Sequence, residues 1–98
     1  MQHSQQGSEG MRLHALPIGQ WATVRRVLPG AGGEDDALML RLLEIGFLPG
    51  ERVRVIAQGY PGRDPLAVRI GHTTFALRRY EAALIRVVPL SVAEGVVR

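Results

Sequence analysis

The chain has no cysteine, no lysine, only five aromatic side chains among 98 residues, and no uninterrupted apolar run of membrane-spanning length. Without cysteine there is no disulfide to staple a loop-rich scaffold and no thiolate for a metal site, so the fold must be held by its own core; a reducing compartment suits this composition. A bilayer-spanning helix needs roughly 18 or more consecutive apolar residues. Arg79, Glu81 and Arg86 interrupt the richest apolar stretch, so membrane insertion is not expected. Scarce aromatics leave few rings on which bases could stack, which weighs against nucleic-acid binding. All twelve basic residues are arginine, and nine acids bring the net charge to +3, a mixed surface rather than a basic tract.

This length holds one domain with a modest core. Residues 1–10 are polar and lack the basic start and apolar middle of a secretory signal, so they read as a flexible tail before a domain of residues 11–90. Residues 91–98 form a second tail whose Val92, Val96 and Val97 could dock on the domain or on a second copy.

The most informative stretch runs from Leu38 to Gly50. Leu38, Leu42 and Ile45 recur at helical spacing and mark one buried face, with Arg41 and Glu44 three apart on the other side. Gly46 supplies a left-handed stop, Phe47 falls where a Schellman motif folds an apolar side chain back onto Leu42, and Leu48-Pro49-Gly50-Glu51 fits a type II turn. Asp35 or Asp36 is the expected helix cap.

Around this helix the chain reads as short strands. Trp21 to Val27 is the first, with Ala22 and Val24 as core and Trp21 a further candidate. Glu51 to Gln58 is the second, alternating Val53, Val55 and Ala57 against polar neighbours, with Ile56 breaking the pattern. Gly59 to Pro65 is a hairpin tip, Leu66 to Ile70 the third strand, Gly71-His72 a turn, and Thr73 to Leu77 the fourth strand. Arg78 to Ala83 has room for one helical turn before Leu84 to Val88, a fifth strand with Ile85 and Val87 inward. The expectation is a mainly β fold: a small five-stranded barrel, one α-helix between strands 1 and 2, and a short helical turn before the last strand.

Taken together, Leu16, Gly19 and Val24, the run Arg41 to Gly50, Val53 and Val55, and Leu77 with Glu81-Ala82-Ala83-Leu84-Ile85-Arg86-Val87 resemble the FeoA family over about Met11 to Pro89. That family comprises small cytoplasmic proteins of bacterial ferrous iron uptake with an SH3-like barrel. The resemblance implies a cytoplasmic, non-enzymatic adaptor or modulator that docks on the cytosolic part of a FeoB-like iron permease. A similar barrel ends iron- and manganese-dependent repressors, which also carry a helix-turn-helix region. The Pro29 to Asp36 connection departs from the family in its length.

Chemical motifs are sparse. Gly30-x-Gly32-Gly33 precedes a helix, but Glu34, Asp35 and Asp36 stand where a phosphate would sit and no Gly-Lys-Ser/Thr follows. No serine, histidine and acid form a catalytic motif, so no enzyme and no cofactor are expected. His72 and Asp64 are weak surface candidates for adventitious divalent metal, with no dedicated site. For partner binding, the apolar residues beside turns are Phe47, Leu48, Tyr60 and Tyr80, framed by Arg63, Arg78 and Arg79. For Phe47, packing on Leu42 competes with that role. Arg52, Arg54, Arg69 and Arg86 fall on outward strand faces, where they could gather phosphates or an acidic protein, or simply be solvated. An arginine-rich barrel binding RNA or another acidic partner is the alternative function. Self-association through a barrel edge remains open to the fold.

Overall fold

Strong alternation in the sequence becomes strands with one apolar face. The computed structural model describes residues 10–29 and 34–90. Its strands are β1 (Met11–Arg12), β2 (Trp21–Val27), β3 (Arg52–Gln58), β4 (Leu66–Ile70), β5 (Thr73–Leu77) and β6 (Ile85–Pro89). The helices are α1 (Glu34–Ile45) and the single-turn α2 (Arg79–Ala82), with a 3-10 turn at Leu13–Ala15. One antiparallel sheet runs in the order β1-β6-β2-β3-β4-β5.

The mainly β class, the helix between the first two long strands and the helical turn before the last strand are as expected. Two details differ. A sixth strand appears because Met11 and Arg12 pair with Val87 and Arg86 of β6. Among the described residues the sheet has two edges, β1 and β5, and no ladder joins them, so hydrogen bonding there does not close the barrel.

The core lies on the inner face of this sheet. Ala22, Val24, Val53, Val55, Leu66, Val68, Ile70, Leu77, Ile85 and Val87 point into it, and Leu13, Leu16, Leu42, Phe47 and Ala82 fill it from the turns and helices. Leu38 and Ile45 pack at its margin. Burying each of the larger side chains stabilises the fold by about 1.5–3 kcal/mol relative to exposure.

Two β-bulges explain where simple alternation fails. In β3, Val55 pairs with Val68 and Ala57 with Ala67, leaving Ile56 as the extra residue. The phase shifts there, so Ala57 is exposed instead of continuing the buried row of Val53 and Val55. In β2, Val24 pairs with Val87 and Arg26 with Arg86, leaving Arg25 over; Arg25 and Arg26 are both exposed. Trp21 belongs to the outer face, opposite Arg54, whose guanidinium carbon lies 4.5 Å from the indole centroid, so it is not a core residue.

The helix start also differs from expectation. α1 begins at Glu34, so Asp35 and Asp36 lie within its first turn, where the unpaired N–H groups favour negative charge, and neither is the cap. The glycine-rich loop reading of Gly30 to Gly33 and both tails fall outside the described residues.

Candidate functional site: the two turn ends of the sheet

The stop after α1 forms as the sequence predicts. Phe47 N–H donates to Leu42 O (3.1 Å) and Gly46 N–H to Leu43 O (3.1 Å), the paired bonds of a Schellman motif, with Gly46 at φ +130°. Glu51 N–H then donates to Leu48 O (3.0 Å) across the proline-glycine turn, where Gly50 has φ +95°. Gly50 N–H also reaches Val24 O (2.8 Å), and Glu51 O accepts from Val24 N–H (2.8 Å), so the turn is sewn to β2. Phe47 is 0% exposed and its ring lies 6.4 Å from that of Phe75. It packs in the core, as its competing reading held, and presents no surface for a partner.

Leu48 is half exposed at this end, beside an open groove of about 300 Å³ lined by Ile45, Leu48, Glu51, Ile70, His72 and Phe75 among others. Among the described residues of that lining, Glu51 and His72 are the titratable side chains. Among the described residues no three His, Cys, Asp or Glu side chains converge as metal ligands would.

The opposite end collects most of the proposed docking residues. The tip between β3 and β4 carries Tyr60, 96% exposed, and the exposed Arg63. Asp64 binds this tip to α2: its Oδ1 accepts from Arg79 N–H at 3.0 Å and its Oδ2 lies 3.8 Å from Arg78 Nη1. Tyr80, 65% exposed, projects from the same helical turn. Tyr60, Arg63, Arg78, Arg79 and Tyr80 thus belong to elements joined by one carboxylate. Leu48 does not join them, since the five-residue β4, about 16 Å long, separates the two ends. The same separation keeps Asp64 and His72 from sharing an ion, because they flank β4 on opposite sides.

A second carboxylate, not singled out as a site residue in the sequence, organises this end. Glu81 is 6% exposed; its Oε1 accepts from Arg78 N–H (2.7 Å) and its Oε2 from Arg41 Nη1 (3.1 Å). Arg41 therefore ties α1 to α2 and does not pair with Glu44. The signal was present in the spacing Arg78-x-x-Glu81, which puts a glutamate at the third helical position, able to reach back to the residue before the helix. Nearby, burial and then the charges of Arg79 and Arg12 hold the His14 imidazole below its usual range, and its Nδ1 is covered without a hydrogen-bond partner.

A curled antiparallel sheet over one glycine-stopped helix, with polar turns at one end and a shallow groove at the other, defines a small SH3-like β-domain. Comparison with known proteins narrows that class. Residues 11–89 match the FeoA domain, and the chain belongs to the FeoA family. The FeoA protein of Stenotrophomonas maltophilia, crystallised with zinc and described as an SH3-domain protein, is 42% identical, with a TM-score of 0.70 over 80% of this chain and 89% of that one. FeoA of Chlorobium tepidum is 30% identical, with a TM-score of 0.69 over 83% of this chain and 71% of that one. A fusion of Fe(2+) transport protein A with the Fe(2+) transporter FeoB from Porphyromonas gingivalis is 40% identical over 77 residues, which are 79% of this chain. The chain spans only 8% of the length of that fusion.

Proposed function

We propose that this protein serves ferrous iron transport as a non-enzymatic, cytoplasmic adaptor that docks on the cytosolic part of a FeoB-like permease. The observation that carries the reading is the Porphyromonas gingivalis relative, in which a domain 40% identical to this one is joined to an Fe(2+) transporter in a single polypeptide. Fusion raises the effective concentration of two partners that work together. No helix among the described residues is long and apolar enough to cross a membrane, so any action on a permease is by contact from outside the bilayer core.

The docking surface is the end formed by the β3–β4 tip and α2. Exposed tyrosines with arginines around them are the composition of interface anchors, offering large rigid contact area and charge-assisted bonds. Tyr60 and Tyr80 supply the rings, and Arg63, Arg78 and Arg79 the guanidiniums. The test is capture of the detergent-solubilised permease on immobilised protein, repeated with Tyr60→Ala and with Arg79→Glu. Each variant should lower recovery at least tenfold while melting like the parent. Undiminished recovery by both would remove this surface from the proposal.

A further inference from the structure

We infer that the outer face of the sheet is an electrostatic docking surface for a bilayer rich in anionic phospholipid. The inference takes its chemistry from charge placement in the strands and its locale from the proposed role beside a permease.

Although the net charge is only +3, the charges are segregated by element. No described strand contains Asp or Glu, whereas the strands carry seven arginines. Arg12 of β1 and Arg26 of β2 both pair in register with Arg86 of β6, so three guanidiniums form a row across adjacent strands. Directly opposite residues in an antiparallel pair share a face, and Val87 and Ile85 on either side of Arg86 are buried, so this row points outward. The Arg25 bulge adds a fourth arginine, itself exposed, to the row's flank. On the other half of the sheet Arg54 pairs with Arg69, and Arg52 lies two residues along the same strand.

Like charges directly opposite one another destabilise a sheet unless something compensates them. Among the described residues the two ion pairs are Arg41 with Glu81 and Arg78 with Asp64, and neither uses a strand arginine. The Nε atoms of Arg54 and Arg86 are covered yet have no hydrogen-bond acceptor. The face therefore holds a repulsive array of donors suited to phosphate oxygens, which guanidinium binds in bidentate fashion.

A planar array of phosphodiesters fits better than a nucleic acid. Base stacking needs a free ring, but Trp21, the aromatic on this face, already carries Arg54 at 4.5 Å. Thr23, Ala67, Thr74 and Val88 are small outward neighbours, and the two larger apolar side chains of this face, Trp21 and Ile56, are half-buried, Trp21 beneath Arg54. Adsorption would then rest chiefly on charge, reversible and sensitive to salt.

The experiment is sedimentation of the full chain with sucrose-loaded vesicles of pure phosphatidylcholine or of phosphatidylcholine with a third phosphatidylglycerol, without permease. Binding should require phosphatidylglycerol and disappear between 0.1 and about 0.5 M salt as screening shortens. Each arginine near an anionic surface is worth about fivefold in partitioning, so Arg12→Gln/Arg26→Gln/Arg86→Gln should lose about a hundredfold. If that variant does not melt cooperatively, Arg52→Gln/Arg69→Gln, which leaves the Arg54–Trp21 stack in place, carries the test with an expected loss of about thirtyfold. Equal binding to both vesicle types, or unchanged binding by the folded variant, overturns the proposal. So does displacement from vesicles by millimolar glycerol phosphate, which would mean a single-phosphate site, or by duplex RNA at equal phosphate concentration. Permease capture in detergent by the same variants should be unaffected, so failure here and failure of the adaptor reading give different results.

Discussion

The two ends of β4 are held by opposite means. At the groove end, backbone hydrogen bonds and packing do the work: the Schellman pair at Gly46, the turn bonded to Val24, and Phe47 sealed against the core. At the tip end, carboxylates hold the chain: Asp64 on the α2 backbone and Glu81 between Arg78 N–H and Arg41. Apolar burial is non-directional and strong in aggregate, whereas each carboxylate contact fixes one geometry at modest net gain. An end built the second way can display tyrosines in fixed positions without having to bury them. That contrast teaches where stability resides and where recognition can be placed without sacrificing it.

The sharpest way to break the contrast is Leu42→Asp. It puts an unpaired carboxylate where the buried Leu42 meets the Schellman turn, at a cost of several kcal/mol. Cooperative thermal unfolding monitored by circular dichroism should vanish; an unchanged midpoint would mean the groove end is not the stability centre.

Much of this end was legible in the sequence because its determinants are local. Glycine at a left-handed position, proline-glycine in a turn and apolar spacing at 3.6 residues each act over a few neighbours, so Leu42, Gly46, Phe47 and Gly50 took their expected places. All five expected strands also appeared, Trp21–Val27, Leu66–Ile70 and Thr73–Leu77 at their expected bounds and the other two within one residue of theirs. What could not be read was long-range. The two-residue β1 exists only because Val87 and Arg86 offer it a partner, and the bulges at Arg25 and Ile56 are set by cross-strand register. Because of that, the row of Arg12, Arg26 and Arg86 went unseen; Trp21, offered as a further core candidate for its apolar ring, is turned outward by its alternation with the buried Ala22 and Val24. The expected docking residues divided for the same reason. Spacing named Leu48 and Tyr60 alike, but only the fold separates them along β4.

A smaller effect should follow at the tip end. Glu81→Ala strands the Arg78 N–H and frees Arg41, for a loss of about 1–3 kcal/mol, or roughly 4–8 °C per kcal/mol in a domain of this size. Arg41→Met removes only the arm that is 61% exposed and should cost under about 1 kcal/mol. Equal losses from the two variants in denaturant titrations would mean that the ion pair, not the backbone bond, secures this end.

The mildest effect concerns acid. Folding lowers the His14 pKa from the ordinary 6.5, chiefly through burial, so the unfolded chain binds its proton more readily than the native one. Its contribution is intact above the ordinary imidazole range and declines as pH falls from there toward the lower folded value. His14→Gln should flatten the melting temperature between about pH 7 and 5. A parent curve as flat as the variant's would show that neither burial nor the nearby Arg79 and Arg12 shifts the titration of His14.

The bulges make the domain tolerant of one kind of genetic accident and intolerant of its near neighbours. Each inserts a single residue beyond what the partner strand counts, so excising Ile56 or Arg25 restores regular pairing and every remaining side chain keeps its compartment. Excising Arg54 instead inverts whatever lies between it and the next correction, trading oil for water along the strand. Among relatives, gaps in this part of the sequence should therefore gather at those two supernumerary positions.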